Sequence, residues 1–335
     1  MTESLWSGYQ YEEIDADGWS TYWRLDPRGQ NLALTDWLGV ADKPGHRLWE
    51  RAATPAGVHG VWRTAAATVQ LEVRAAQGIY GQIAPLDVLV NGVLHQRCEL
   101  TEGEQQLTVG LPGSSEVVEI WLPQSGRIAI RGLSFDGLAE PVAPSGPRWI
   151  TYGSSITQCS GAAGPSETWP ALVARHHGWD LQCLGFSGEC HLDPVVARTI
   201  RDTPARLISL CLGVNIQGGS TFSGRTLPGQ VESFIATVRS GHPTTPIVVI
   251  TPLSVPDRDT ERNGVGLTLD DIRTCVELGA RVDPAVQIID GRTILTGDEP
   301  RTLYTDGLHP GPEGYRLIAE RLIPLLAAAG PAPNI

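Results

Sequence analysis

The feature that most constrains the fold of this chain is a change of hydrophobic periodicity after residue 148. Beyond it, short apolar runs alternate with segments of helical periodicity. The run over 207–212 is almost continuously apolar, as a central parallel strand buried on both faces must be. Strands that alternate with helices predict a parallel sheet with helices on both faces. In such a sheet, ligands bind beyond the carboxyl ends of the strands.

Strands and helices are predicted in turn along this part of the chain. The strands cover 149–152, 181–184, 207–212, 246–251 and 286–289, and the helices cover 166–177, 194–201, 230–238, 269–282 and 312–329. Thr268 is expected to cap the fourth of these helices, and Asp270 and Asp271 favour its positive end. Gly178 is expected to end the first helix.

Residues 1–138 are predicted to form a separate all-β domain. Apolar and polar residues alternate over 68–74, as in a strand with one wet face. Asn91-Gly92 separates two apolar runs and predicts a hairpin turn. Further strands are expected over 106–109, 117–122 and 127–130. This spacing is typical of a β-sandwich of the jelly-roll-like kind.

The segment 139–147 is predicted to be a proline-rich linker between two domains. It contains Pro141, Pro144 and Pro147, which are poorly suited to a regular ladder or to a helix interior. The second domain then covers 148–335. A length of 335 residues also favours two domains over a single core.

The first domain is rich in aromatic side chains, which have two interpretations. They are Trp6, Tyr9, Tyr11, Trp19, Tyr22, Trp23, Trp37, Trp49 and Trp62. Exposed rings bind the flat faces of sugars, whereas core packing and domain interfaces use the same rings more often. The sequence favours packing and leaves a sugar platform as the alternative.

The charge balance and the lack of long apolar stretches narrow the classes of partner. With 25 Lys and Arg against 37 Asp and Glu, the net charge is −12, which argues against binding to nucleic acid or to an anionic membrane surface. No stretch approaches the ~20 apolar residues of a membrane span. Residues 1–10 also lack the pattern of a secretory signal.

The six cysteines form no Cys-x-x-Cys pair and no zinc-site spacing. They are Cys98, Cys159, Cys183, Cys190, Cys211 and Cys275. We therefore expect buried free thiols, no metal site and a cytoplasmic location. A disulfide between two of the four cysteines in 159–211 is the alternative.

Four polar or glycine-rich clusters follow predicted strands. They are Gly153-Ser154-Ser155, Gly185-Phe186-Ser187-Gly188-Glu189, Gly213-Val214-Asn215 and Asp306-Gly307-Leu308-His309-Pro310. The first three come directly after the first three strands, and the fourth lies between the last strand and the closing helix. All four therefore map to one rim of the sheet, where ligands bind.

The clusters contain the groups that acyl transfer requires. Ser155 supplies a hydroxyl that becomes nucleophilic when a base removes its proton. His309 is the candidate base, and Asp306, three residues earlier, can orient its ring. Gly188 can present a bare backbone N–H to a developing oxyanion, and Asn215 can present a side-chain amide.

Each of these residues also has a purely structural interpretation. Gly188 can make a tight turn, Asn215 can cap the next segment, and Asp306 can stabilise a local turn. The remaining histidines have no motif and are expected in ordinary surface or core roles. They are His46, His59, His95, His176, His177, His191 and His242. The catalytic interpretation depends on the four clusters occurring together in this order.

Over about residues 148–328, the chain resembles the SGNH, or GDSL-type, superfamily of esterases and lipases. The four sequence blocks of that family carry Ser, Gly, Asn and His, and they match the four clusters in order. The resemblance implies a flavodoxin-like three-layer α/β/α fold and a Ser155–His309–Asp306 triad. It also implies an oxyanion hole formed by the N–H groups of Ser155 and Gly188 and by the Asn215 amide. The first domain loosely resembles the jelly-roll modules that precede some such esterases, often ones acting on acylated carbohydrates.

The first block departs from the family pattern at one position. The family usually has Asp before the nucleophile, whereas this chain has Ser154. Ser155 is the expected nucleophile, and the departure leaves Ser154 as the alternative hydroxyl.

The sequence therefore predicts a serine esterase that uses no metal or cofactor. It is expected to prefer small acyl groups, acetyl above all, on small molecules or carbohydrates. No G-x-S-x-G elbow and no phosphate-binding glycine loop follows any strand, and the oligomeric state has no sequence signal. The alternatives are a hydrolase of lipid acyl esters or thioesters, and a sugar-binding protein with an inactive hydrolase-like domain.

Overall fold

A computed structural model of the chain describes residues 6–28, 48–78 and 81–330. Trp37 and His46 lie outside these residues. Two antiparallel sheets come first, in what we call the β part (residues 6–141), and a parallel sheet with its helices follows in the α/β part (residues 148–330). None of the described helices is long and apolar enough to cross a membrane.

The β part contains two five-stranded antiparallel sheets. The strands are β1 (Tyr11–Ile14), β2 (Ser20–Trp23), β3 (His59–Thr64), β4 (Thr68–Ala76), β5 (Leu86–Val90), β6 (Val93–Cys98), β7 (Gly103–Gly110), β8 (Glu116–Trp121), β9 (Arg127–Phe135) and β10 (Ala139–Pro141). One sheet has the order β1-β2-β9-β4-β7, and the other has the order β10-β3-β8-β5-β6.

The alternation along β4 places every second side chain in the core between the two sheets. Val69, Leu71 and Val73 are fully buried and belong to the same cluster as Val118 of β8, in the opposite sheet. Asn91-Gly92 joins β5 to β6, and both turn residues have positive φ. The predicted strand over 68–74 and the predicted hairpin are therefore confirmed.

Most of the described aromatic residues of the β part are used in packing. Five are at most 6% exposed, namely Trp6, Trp19, Tyr22, Trp23 and Trp62. The ring centroid of Trp6 lies 5.7 Å from that of Tyr22 and 5.6 Å from that of Trp62. Tyr9, Tyr11 and Trp49 are partly exposed. Buried rings cannot stack on a sugar, so these five rings have the packing role.

The segment predicted as a linker, 139–147, begins with a strand. β10 pairs with β3 at the edge of its sheet, and Pro141 lies opposite Trp62. An edge strand tolerates proline because its outward N–H groups need no ladder partner. The prediction that the prolines of this segment exclude a regular ladder is therefore wrong for residues 139–141.

The α/β part is built on a five-stranded parallel sheet. Its strands are β11 (Arg148–Gly153), β12 (Asp180–Gly185), β13 (Leu207–Cys211), β14 (Ile247–Ile250) and β15 (Val286–Ile289). The order is β12-β11-β13-β14-β15, which is the 2-1-3-4-5 order of flavodoxin-like sheets. All five predicted strands are present, with ends that differ from the prediction by at most one residue.

Helices cover both faces of this sheet and complete three layers. The described helices are α1 (Leu48–Ala52, in the β part), α2 (Ser155–Gln158), α3 (Trp169–His177), α4 (Pro194–Asp202), α5 (Val214–Gly219), α6 (Leu227–Gly241), α7 (Leu269–Ala280), α8 (Glu299–Leu303) and α9 (Pro312–Ala329). Helices α3 and α9 pack together, and α6 packs against both α4 and α7.

The first predicted helix of this part starts later than expected. It was predicted to begin at Ser166, but α3 begins at Trp169 because the Thr168 hydroxyl accepts a hydrogen bond from the Ala171 N–H and caps it. Residues 165–167 form a short 3₁₀ turn instead. The cap predicted at Thr268 is confirmed, and it forms a reciprocal capping box with Asp271.

One hydrophobic core runs through both parts of the chain. Trp23, Leu25, Leu89 and Trp121 of the β part belong to the same buried cluster as Trp149 of β11. All of them are at most 6% exposed. The two parts therefore share an extensive apolar interface, in contrast to two globules joined only by a linker.

Candidate active site

Ser155 lies where the buried strand β11 ends and the short helix α2 begins. The hydroxyl of the preceding Ser154 accepts a hydrogen bond from the Ile156 N–H at 3.2 Å and so caps α2. Ser154 is 3% exposed. The residue that replaces the family's usual Asp therefore has a structural partner at the start of the helix.

A chain of hydrogen bonds joins Ser155 to Asp306 through His309. Ser155 Oγ lies 2.8 Å from His309 Nε2, and His309 Nδ1 lies 2.7 Å from Asp306 Oδ2. A carboxylate can only accept, so Nδ1 carries the proton and neutral Nε2 can accept from the serine hydroxyl. The structure thus brings these three predicted residues together.

Exposure and charge differ along this hydrogen-bonded chain. Ser155 is 6% exposed, whereas the side chains of His309 and Asp306 are 34% and 55% exposed. Partial burial alone would raise the pKa of Asp306, but hydrogen bonds from the ring and backbone N–H of His309 lower it below its ordinary value. Asp306 is therefore ionised at neutral pH, as an orienting carboxylate must be.

The loop before α9 holds Asp306 and His309 in place. Asp306 Oδ1 accepts hydrogen bonds from the backbone N–H groups of Leu308 at 3.1 Å and His309 at 2.7 Å. The Thr305 N–H donates to the His309 carbonyl at 2.9 Å, next to a bridge between residues 304 and 310. One oxygen of Asp306 thus stabilises the turn, while the other lies within hydrogen-bond distance of the His309 ring.

Gly188 lies in the turn that follows β12, and its φ of +79° favours glycine. The Ser187 N–H donates to Gln158 Oε1 at 3.0 Å, and Gln158 is the last residue of α2. The Gly188 carbonyl lies 2.9 Å from His191 Nε2. The turn is therefore attached directly to the helix that begins with Ser155.

Asn215 occupies the second position of α5, just after β13. Its Oδ1 accepts a hydrogen bond from the Cys190 N–H at 3.1 Å. This bond assigns the oxygen end of the amide and leaves the two N–H groups of Nδ2 for another acceptor. Gly213 is the N-cap of α5, so Asn215 does not have the capping role that the sequence left open.

The sheet order places the three candidate oxyanion donors side by side. β11 lies between β12 and β13, and neighbouring strands are about 4.8 Å apart. Ser155 follows β11, and Gly188 and Asn215 follow its two neighbours, β12 and β13. The Ser155 N–H is at the first position of α2 and so has no partner within the helix. This arrangement suits a negative oxygen that develops above the serine.

Sequence reasoning missed three residues that contact the Gly188 turn. Arg24 donates to the Gly185 carbonyl, Arg51 donates to the Ser187 carbonyl, and His191 contacts the Gly188 carbonyl. His191 lies only three residues after Gly188, which was a usable signal. Arg24 and Arg51 gave none, because they lie more than 130 residues away along the chain.

The cysteines are all free thiols in the structure, so the alternative disulfide is not formed. Burial raises the pKa of the Cys183 thiol, and it raises that of Cys211 to about 12. Within residues 6–28, 48–78 and 81–330, no group of three or more His, Cys, Asp or Glu side chains is arranged to hold a metal ion.

Residues 151–317 match the GDSL-like lipase/acylhydrolase family, a range that includes all five predicted site residues. Comparison with curated protein sequences gives no significant match.

Solved structures similar to this chain include a salicylyl-acyltransferase from a tetracycline biosynthetic pathway. It is 30% identical with a TM-score of 0.84, over 98% of this chain and 95% of that one. A GDSL-like lipase structure from Bacteroides ovatus is 18% identical with a TM-score of 0.77, over 98% and 96% of the two chains. A family two carbohydrate esterase from Clostridium thermocellum is 16% identical with a TM-score of 0.63, over 81% and 91%. The last two similarities indicate a shared fold.

Proposed function

Because this chain belongs to the GDSL-like lipase/acylhydrolase family and is an SGNH-type ester hydrolase, we propose that Ser155, His309 and Asp306 are its catalytic triad. The observation that supports the proposal best is the pair of hydrogen bonds, 2.8 Å and 2.7 Å long, that links the three side chains. Nucleophile, base and orienting carboxylate are in the order that such chemistry needs.

In the proposed reaction, His309 Nε2 takes the proton of Ser155 Oγ as that oxygen attacks the ester carbonyl. The N–H groups of Ser155 and Gly188 and the amide of Asn215 donate to the oxyanion of the tetrahedral intermediate. His309 then gives its proton to the leaving alcohol, and an acyl-serine remains. Water hydrolyses this ester by the same route, which returns the proton to the serine.

The substrates we propose are esters of small acyl groups, acetyl first, on small molecules or carbohydrates. The chain has only four phenylalanines and one methionine, which gives little support for a long lipid tunnel. The β part, for which the jelly-roll-like description remains our prediction, would then lie beside the site as an accessory domain. Its buried rings favour a structural role over sugar binding.

A second candidate is transfer of the acyl group to an alcohol other than water. It is favoured by the 30% identical salicylyl-acyltransferase, which matches nearly the whole chain. Both reactions share the acyl-serine and differ only in the acceptor. The ratio of hydrolysis product to transfer product, measured with added alcohols, distinguishes the two reactions. The rates for a series of esters, from acetyl through longer chains to aromatic acyl groups, define the preferred acyl donor.

The first test is hydrolysis of p-nitrophenyl acetate by the wild type, Ser155→Ala and Ser154→Ala. We expect Ser155→Ala to lose essentially all activity, about 10⁶-fold in kcat, as when other serine hydrolases lose their nucleophile. Ser154→Ala removes only a helix cap, which costs ~1 kcal/mol of stability, and should keep most of the activity.

The variants also distinguish the alternatives. Loss of activity in Ser154→Ala alone would move the nucleophile one residue earlier. A wild type that hydrolyses neither acetyl nor longer esters and is not labelled by a fluorophosphonate would contradict the triad and favour a binding protein.

A further inference from the structure

The side chain of Arg24, which follows β2, is completely buried between the two parts of the chain. Its Nη1 donates to the carbonyls of Cys183 at 3.1 Å and Gly185 at 2.6 Å, at the end of β12. Its Nε donates to the Thr54 carbonyl at 2.6 Å, and its Nη2 donates to the Arg51 carbonyl. A buried cation is costly unless it is hydrogen-bonded, and here each of the three guanidinium nitrogens donates to at least one backbone carbonyl.

Arg51 continues this set of contacts into the turn that follows β12. It lies in α1, is 5% exposed, and its Nε donates to the Ser187 carbonyl at 2.9 Å. Its own carbonyl accepts from Arg24, so the two arginines are linked. Together they bind the carbonyls of residues 183, 185 and 187, every second carbonyl on the way to Gly188.

The Ser187 carbonyl and the Gly188 N–H belong to the same peptide group. A trans peptide is planar, so its C=O and N–H point in opposite directions. Arg51 holds the carbonyl towards the β part, and the N–H must therefore point away from it. A charged donor on the carbonyl also polarises the peptide and makes its N–H a stronger donor.

Without Arg51, this peptide would lose the hydrogen bond to its carbonyl. Gly188 tolerates both positive and negative φ, so a rotation of the peptide costs little in the turn itself. Gln158 holds the Ser187 N–H, and His191 contacts the Gly188 carbonyl, so the neighbouring peptides stay attached. Of these three contacts, the one from Arg51 acts on the peptide group whose N–H is the proposed oxyanion donor.

We propose that Arg51, supported by Arg24, is a positioning residue that aims the Gly188 N–H at the oxyanion, and that the β part contributes to catalysis through it. This inference rests on the proposed esterase function. It assigns to the β part a role in the chemistry that is independent of any sugar binding.

The test uses the full chain with Arg51→Ala, Arg51→Lys and the control Arg127→Ala. Arg127 forms an exposed ion pair with Glu50, the neighbour of Arg51 in α1, and does not contact the turn. Three properties are measured: kcat and KM for p-nitrophenyl acetate, the Tm, and hydrogen exchange of peptides that cover residues 183–190.

We expect Arg51→Ala to lower kcat by about 10- to 100-fold with little change in KM, somewhat less than the loss of a whole oxyanion donor. Exchange over 183–190 should become faster, since the turn loses a buried hydrogen bond. Arg51→Lys should recover part of kcat, because its ammonium can still donate to the carbonyl. Arg127→Ala should match the wild type in all three measurements.

Two results would overturn the inference. One is an Arg51→Ala variant with wild-type kcat and wild-type exchange over 183–190. The other is a variant whose Tm falls while kcat, measured well below that Tm, is unchanged. If wild type and variants are all inert and Ser155 is not labelled, the esterase proposal fails separately, and the exchange data still decide whether Arg51 holds the turn.

Discussion

At the scale of single residues, the exposure of Asp306 sets how much it can contribute. Because the side chain of Asp306 is 55% exposed, solvent screens its charge, and its interaction with His309 is weaker than that of a fully buried carboxylate would be. The pKa of Asp306 is lowered from its ordinary value of 3.8, so the carboxylate stays ionised throughout the neutral and mildly acidic pH range. The site should therefore keep its orienting charge over the whole range in which an esterase is usually assayed.

Replacing Asp306 by Asn tests this role. The neutral amide can no longer stabilise the imidazolium and can select the wrong tautomer, so we expect kcat to fall by roughly 10²- to 10⁴-fold. Steady-state hydrolysis of p-nitrophenyl acetate measures the loss. Asp202→Asn is the matched control, since Asp202 is also an exposed aspartate and forms its ion pair with Arg201. An Asp306→Asn variant within twofold of wild type would show that the carboxylate is not needed.

Sequence alone was informative about the four clusters that follow strands or precede the closing helix, and uninformative about the residues that support them. Ser155, His309 and Asp306 could be predicted as a set because Ser155 directly follows a strand, Asp306 and His309 lie three residues apart before the closing helix, and the four clusters match the blocks of the family in order. Arg24 and Arg51 could not, because their role arises only when two distant segments pack together. A charged residue in such a segment looks like any solvated one until its burial is known.

At the scale of elements, the close approach of α2 to the end of β12 depends on Gly185. A Cβ at this position would lie 2.6 Å from the Thr157 carbonyl carbon and even closer to the Gln158 N–H nitrogen, both backbone atoms of α2. Backbone cannot move aside as a flexible side chain can. The helix that begins with Ser155 can therefore lie this close to the turn of Gly188 only because residue 185 has no side chain.

Gly185→Ala is expected to push these two elements apart. We expect a loss of about 1–3 kcal/mol in the free energy of unfolding, as for other overpacked sites, together with a lower kcat. Denaturant unfolding and ester hydrolysis measure the two effects. Gly229→Ala, at an open position in α6, should be neutral or stabilising by about 0.5–1 kcal/mol. Equal stability of the two variants would argue against the close contact.

The parallel sheet was predictable from sequence because its strands are continuous apolar runs, and their ends differ from prediction by no more than one residue. The β part was harder. β1, β2 and β3 were not predicted, since apolar and polar residues do not alternate clearly along these short segments. β10 was assigned to a linker because of its proline. The observed start of a helix differs from the predicted one where a capping residue, such as Thr168, determines the first turn and hydrophobic periodicity does not.

At the scale of the whole molecule, an ion network spans the interface between the two parts. Arg97 of β6 forms ion pairs with Asp87 at 2.7 Å and Glu167 at 2.6 Å, and Glu167 also pairs with Arg316 of α9. Partial burial alone would raise the pKa of Glu167, but the two arginines lower it below its ordinary value of 4.5. The carboxyl of Glu167 binds a proton less readily in the folded state than in the unfolded state. The stability that its ionised form contributes is therefore present above about pH 4.5 and is lost as the pH falls through the pKa of the folded state.

Glu167→Gln should therefore lower stability at neutral pH, by about 1–3 kcal/mol for the lost charged hydrogen bonds, and weaken the dependence of Tm on acid pH. Calorimetry from pH 3 to pH 7 measures both. The shared core predicts one unfolding transition for the wild type and the variant. Glu277→Gln, which breaks an exposed pair with Arg281, should change little. A variant that keeps the wild-type Tm at all pH values would exclude the network as a stabilising element.

The contacts of Arg24 and Arg51 also bear on how such a protein can evolve by recombination. A gene fusion that joined residues 148–330 to an unrelated sandwich would transfer the serine, the histidine and the aspartate intact. It would leave behind the donors to the carbonyls of Cys183, Gly185 and Ser187. A hybrid of this kind would keep the proposed catalytic side chains without the donors that hold the turn beside them, so we expect exchange of the β part to lower activity even when the α/β part is intact.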